Sequence, residues 1–117
     1  MSSQPQIEPV DGFVELLSSS ALTEGQKVLV YALGRGIAVV RVKGVAYAID
    51  NACPHRNGEL SRGDLQGYHL YCPLHAWSFD VRDGLAFFPE GAKAQCFEVK
   101  EAGGRIWARR KNAGPQR

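Results

Sequence analysis

Apolar residues in this chain come in short bursts, not at helical spacing. "QKVLVYAL" (26–33), "GIAVVRV" (36–42) and "VAYAID" (45–50) follow one another closely and are rich in Val, Ile and Tyr. Runs of this length and composition favour strands. Between them stand Gly34-Arg35-Gly36 and Lys43-Gly44, which suit tight hairpin turns because glycine reaches positive φ at little steric cost. A second series comprises "HLYC" (69–72), "WSFDV" (77–81), "CFEVKE" (96–101) and "RIWARR" (105–110), with Asp83-Gly84 and Gly103-Gly104 as its turns. "ELLSSSALTEG" (15–25) reads as an irregular lead-in that ends in a Glu24-Gly25 turn. Few stretches place apolar residues at i, i+3, i+4 and i+7, so little helix is expected. The pattern predicts an all-β chain.

Length adds that there is one domain, since 117 residues fall within the usual domain size. Residues 13–110 are expected to form it. The polar, proline-bearing segment 1–12 and the tail 111–117 are expected to be loose. A net charge of +2 implies no polyanionic partner, and the basic end "RIWARRKNAGPQR" reads as solvated chain, not a nucleic-acid arm. No run of about 18 apolar residues is available to span a membrane. "MSSQPQIEPVDGF" has no basic start followed by an apolar run, so no secretory leader is expected. Three cysteines are too few, and odd in number, for a disulfide framework. The cytoplasm is the expected location.

Against this background one segment stands out. "CPHRNGELSRGDLQGYHLYCPLH" (53–75) holds two of the three cysteines and all three histidines. Cys53 and His55 are separated by one residue, and Cys72 and His75 by two, with sixteen residues between the pairs. Each pair follows a predicted strand, so two strand-ending loops could each present one thiolate and one imidazole to a shared site. Soft sulfur with borderline nitrogen suits zinc or an iron–sulfur centre. Zinc sites of this composition more commonly group cysteines with cysteines and histidines with histidines. Mixed pairs suit a binuclear cluster, in which one iron takes Cys53 and Cys72 and the other takes His55 and His75. His69 lies within a strand and outside the spacing, as an ordinary partly exposed side chain. Cys96, in "AQCFEV", reads as a small buried hydrophobe.

The spacing C-x-H, sixteen residues, C-x-x-H resembles the signature of the Rieske 2Fe–2S family, matched by Cys53, His55, Cys72 and His75. The likeness extends to Gly58, Leu60 and Gly63 in "CPHRNGELSRG" and to Pro73, Phe79 and Gly84 in "CPLHAWSFDVRDG". With its flanking strands it covers roughly residues 26–108. It implies an antiparallel β-sandwich with two cluster-binding loops at one end and a Rieske-type 2Fe–2S cluster as cofactor.

Departures from the pattern refine that expectation. High-potential members from respiratory complexes carry an additional cysteine in each loop, joined as a disulfide. The corresponding positions here are Gly58 and Leu74. The same members have a serine and a tyrosine whose hydroxyls donate to cluster and ligand sulfurs. Here Trp77 and Phe79 occupy those places, and Ser78 falls between them. Fewer donors leave the reduced cluster less stabilised, which implies a low potential. Rieske oxygenases add a domain holding mononuclear iron through two histidines and a carboxylate, for which no residues are expected here.

The resemblance therefore implies a one-electron carrier and not an enzyme in itself: a soluble Rieske-type ferredoxin between a flavin-containing reductase and a terminal oxygenase. Arg56, Asn57, Leu74 and Trp77 would rim its docking face, Trp77 equally suiting a role as a core-capping aromatic. A small subunit of an NAD(P)H-dependent nitrite reductase, bound to its large subunit, is the alternative. A zinc-binding interaction module is the third reading.

Overall fold

The computed structural model describes residues 12–54, 58–74, 77–88 and 91–111. The expected loose ends therefore lie outside the described residues, except for Gly12 and Lys111. In chain order the strands are β1 (Val14–Ser18), β2 (Lys27–Ala32), β3 (Arg35–Val42), β4 (Val45–Asp50), β5 (Leu65–Gln66), β6 (His69–Tyr71), β7 (Ser78–Asp80), β8 (Ala86–Phe88), β9 (Cys96–Ala102) and β10 (Arg105–Arg110). They form a six-stranded sheet ordered β1-β10-β9-β4-β3-β2 and a four-stranded sheet ordered β5-β6-β7-β8, antiparallel throughout. Edge strands β1 and β2 approach each other, so the larger sheet curls towards a barrel.

β3 explains why two cores exist. Its side chains alternate between faces, and both faces are buried. Ile37 and Val39 join Leu22, Ala46, Ala48, Phe97, Ile106 and Ala108 in one core. Ala38, Val40 and Val42 join Ile49, Leu60, Leu70, Phe79, Cys53 and Cys72 in the other. The second core thus lies between the large sheet and the segment that carries the candidate ligands. Fully burying a side chain such as Phe79 contributes about 1.5–3 kcal/mol, so this core holds the smaller sheet in place.

Two hairpins flank β3. The β3–β4 turn is Lys43-Gly44, as the sequence implies. The β2–β3 turn is Leu33-Gly34, while Arg35 and Gly36 belong to the strand, where Gly36 pairs with Tyr31. Both turns carry positive φ at both central residues: 55° and 80° at Leu33 and Gly34, 53° and 81° at Lys43 and Gly44. That geometry matches the strand twist, at a cost of about 1–2 kcal/mol for each non-glycine residue. Leu33 offsets it by packing against the barrel core. At the other turn the Glu24 carboxylate accepts the Lys43 and Gly44 amides at 2.6 and 2.8 Å. These bonds hold the Glu24 carboxyl below its usual range.

The lead-in differs from expectation. Residues 14–18 are a strand paired with β10, and an irregularity between Glu15 and Leu17 breaks the alternation that would have revealed it. A 3₁₀ turn at Ser19–Ala21 and the expected turn at Glu24-Gly25 follow. β5 and β8, two and three residues long, are too short to register as periodic.

Candidate metal centre

Each cysteine of interest sits just past a strand end. β4 ends at Asp50, three residues before Cys53, and β6 ends at Tyr71, immediately before Cys72. Both loops close with the same bond. The Cys53 amide donates to the Gly58 carbonyl at 2.8 Å, and the Cys72 amide donates to the Trp77 carbonyl at 2.8 Å. In each case the acceptor lies five residues on, so the two segments are rings of matching size.

The first ring is anchored by Asn51, a buried polar residue that the sequence reading passes over. Its amide donates to the Gly36 carbonyl of β3 at 3.0 Å. Its own carbonyl accepts the Leu60 amide at 2.7 Å, and its Oδ1 accepts the Ser61 amide at 2.8 Å. The return limb of the loop, a 3₁₀ turn at Leu60–Arg62, is thereby tied to the large sheet. Nothing in the local pattern "DNAC" marks Asn51 for this task, because its partners are backbone groups far along the chain.

Glycines let the two loops meet. A Cβ on Gly58 would lie 2.6 Å from Cys72 Sγ and 3.1 Å from Leu74 Cγ. The Gly58 backbone is not left-handed, so close approach, not φ, demands glycine there. Gly58 therefore joins both cysteines: its carbonyl receives the Cys53 amide and its α-carbon lies against the Cys72 sulfur. Gly63 is tighter still, since a Cβ there would overlap the Tyr71 carbonyl oxygen.

Cys53 is 0% exposed and Cys72 is 3% exposed. Two soft sulfurs, buried and brought to one glycine, fit the thiolate half of an iron–sulfur site. Phe79 is wholly buried in the same core, and Trp77 packs against that core with its ring 6.3 Å from Phe79. Trp77 thus takes the core-capping role, with part of its surface still accessible. Leu74 stands 62% exposed at the surface. His55, His75, Arg56 and Asn57 lie outside the described residues.

His69 and Cys96 fall where expected. His69 is half-buried, with its ring 5.0 Å from that of Phe87. Cys96 is buried, and its thiol lies 3.5 Å from the Val81 carbonyl it donates to. Burial pushes that thiol up to about 11, so it is a poor source of thiolate.

This fold, with paired loops bringing buried cysteines together, is that of a Rieske iron–sulfur domain. The family model of the Rieske 2Fe-2S domain matches residues 12–98, and the chain belongs to that family. Its cofactor is the Rieske-type 2Fe–2S cluster. The ferredoxin component of the naphthalene 1,2-dioxygenase system of Pseudomonas putida is 38% identical over 74 residues, covering 63% of this chain and 71% of that protein. Among solved structures, the ferredoxin of carbazole 1,9a-dioxygenase from Nocardioides aromaticivorans IC177 superposes with a TM-score of 0.80 at 28% identity. The match covers 86% of this chain and all of that one (100%). A complex of reduced oxygenase and oxidised ferredoxin in carbazole 1,9a-dioxygenase contains a similar chain, with a TM-score of 0.78 at 28% identity, over 86% of this chain and 96% of that one. Like these relatives, the protein is an electron-transfer component. Among the described residues no helix is long and apolar enough to cross a membrane.

Proposed function

We propose that the protein accepts single electrons from a flavin-containing reductase and delivers them to a terminal oxygenase in the cytoplasm. Cys53 and Cys72 would hold one iron of the cluster, and His55 and His75 the other. When bound, the cluster supplies reversible one-electron chemistry. The observation that carries the reading is the pair of matching loops, each closed on a buried cysteine and joined through Gly58.

The chain's own residues have three tasks. Cys53 and Cys72 supply negative, water-excluded sulfur. The two amide bonds and the Asn51 anchor hold those sulfurs in place, which limits reorganisation when charge changes. Leu74, exposed on the second loop, gives a partner an apolar contact beside the site. The lack of a hydroxyl at Trp77 and Phe79 supports a potential at the low end of the Rieske range.

The test is an EPR spectrum of the dithionite-reduced protein, followed by reconstitution with a reductase and oxygenase of this class. A signal typical of mixed sulfur and nitrogen ligation, with product formation that requires this protein, is the expected result. An all-sulfur signal, or a colourless zinc-loaded protein, would overturn the ligand assignment.

A further inference from the structure

Five large hydrophobic side chains are exposed among the described residues: Tyr31, Val45, Leu74, Leu85 and Phe87. Strand direction sorts them. Val45 begins β4, and Leu85 follows the turn after β7, so both lie at the end away from the loops. Phe87 leans on His69, at the start of β6, and belongs to that end as well. Leu74 and Tyr31 remain at the cluster end.

Tyr31 is 78% exposed, the most of the five. It projects from the face of β2 that bears the second core, since it pairs with Gly36, two residues before the core residue Ala38. The point where a Gly36 Cβ would stand lies 3.4 Å from Tyr31 Cε1 and 3.5 Å from Asn51 Cβ. Tyr31 is thus a neighbour of Asn51, two residues before Cys53. The return limb of the first loop also lies against β2 and β3. Ion pairs border this area, Arg35–Asp50 at 2.6 Å and Arg62–Glu59 at 3.6 Å, so these four charges, among the described residues, are answered within the chain. A solvated aromatic within a rim of self-paired charges has the make-up of an interface anchor.

We propose that Tyr31 extends the docking surface across the first loop, and that its occupant is the terminal oxygenase, through an apolar patch on that partner. The inference rests on the carrier reading. The oxygenase is chosen for continuity: this patch adjoins the end that must face the electron acceptor, and a similar ferredoxin is found in complex with its oxygenase. The competing explanation is local, because the Tyr31 ring also covers Gly36, as aromatics do for glycines across a strand pair.

The experiment compares wild type, Tyr31→Phe and Tyr31→Ala as cluster-loaded proteins, reduced with dithionite. Each is then oxidised by ferricyanide, which needs no docking, and by a terminal Rieske oxygenase that accepts electrons from the wild type. Expected for Tyr31→Ala is a roughly tenfold loss of second-order rate with the oxygenase, persisting at high salt. The midpoint potential and the ferricyanide rate stay at wild-type values, and Tyr31→Phe stays close to wild type throughout. Equal oxygenase rates in Tyr31→Ala and wild type would overturn the proposal. So would a matching loss with ferricyanide or a shifted midpoint, which would assign Tyr31 to support of the loop. In a parallel arm that replaces dithionite with a flavin reductase, a loss confined to the reduction step would overturn the choice of partner. If no such oxygenase oxidises the wild type, the carrier reading itself falls and this surface with it.

Discussion

The guanidinium carbon of Arg82 lies 3.8 Å from the centre of the Tyr68 ring. Tyr68 belongs to the small sheet's β5–β6 turn, and its ring meets Tyr47 of β4 edge-on at 6.0 Å. The Lys43 ammonium sits 5.4 Å from the same ring. Arg82 is itself held by Asp80 through bonds of 2.9 and 2.7 Å. Two cations and two aromatics therefore clamp the sheets together at the end opposite the cysteines. Cation–π contacts at such sites each contribute about 0.5–1 kcal/mol.

The clamp makes stability sensitive to acid. The Arg82 bond to Asp80 holds that carboxyl below its usual range. The Arg41 bond does the same for Glu101. A carboxyl depressed in the folded state stabilises it above the unfolded pKa, and that contribution is lost as pH falls through the folded value. Thermal melts of wild type and Asp80→Asn should differ by a few degrees at neutral pH and converge below about pH 4. A gap that stays constant into acid would show that Asp80 contributes through shape alone.

Cys53→Ser and Cys72→Ser should each abolish cluster assembly, because a hydroxyl is a poor substitute for thiolate at iron. Cys96→Ser should keep the visible spectrum, at a stability cost of about 1 kcal/mol for a polar group placed in the core. Absorbance of proteins purified side by side decides this. Bleaching in the Cys96 variant would mean that the ligands are wrongly assigned.

Gly58→Ala should disturb the cluster, because the new methyl meets Cys72 Sγ at 2.6 Å. The expected signs are altered visible circular dichroism and faster cluster loss, with the far-ultraviolet spectrum unchanged. Adding Leu74→Ala removes the second crowded contact and leaves the first. If the double variant recovers fully, the Leu74 contact and not the sulfur is the constraint.

Phe79→Tyr should raise the midpoint from the low end of the Rieske range, roughly −150 mV to near zero. Phe79 is wholly buried, so the added hydroxyl costs about 1–3 kcal/mol unless it finds an acceptor. Voltammetry and melting together separate the cases. A higher midpoint with little loss of stability means that the hydroxyl donates to sulfur. An unchanged midpoint with a lower melting point means that it does not.

Much of this is legible before any coordinates. The β3 run "GIAVVRV" announces a strand, though not that both its faces are buried, and the cysteine spacing announces two loops with one purpose. What escapes has a physical reason in each case. β1 hides behind its irregularity at Glu15–Leu17. The β2–β3 turn falls on Leu33-Gly34 because Leu33 can pack against the core from a left-handed backbone, a compensation that local propensity does not contain. Asn51 acts through backbone groups of Gly36, Leu60 and Ser61, and a motif written in side chains cannot record them. Gly58 is visible as part of a pattern, but its reason, the sulfur against its α-carbon, is purely spatial.

The two amide-closed rings bear on how the metal site is made. Cys53 and Cys72 are each held by bonds that involve no metal, Cys53 N–H to Gly58 and Cys72 N–H to Trp77, on a core of packed apolar side chains. Part of the conformational entropy of placing the two thiols is thus met by peptide–peptide bonds and core packing. Metal–ligand bonds are then not the sole restraint on either sulfur, in contrast to a zinc finger, where metal and fold form together. A change at Gly58 or Asn51 would therefore reach the cluster through the polypeptide, without touching a ligand.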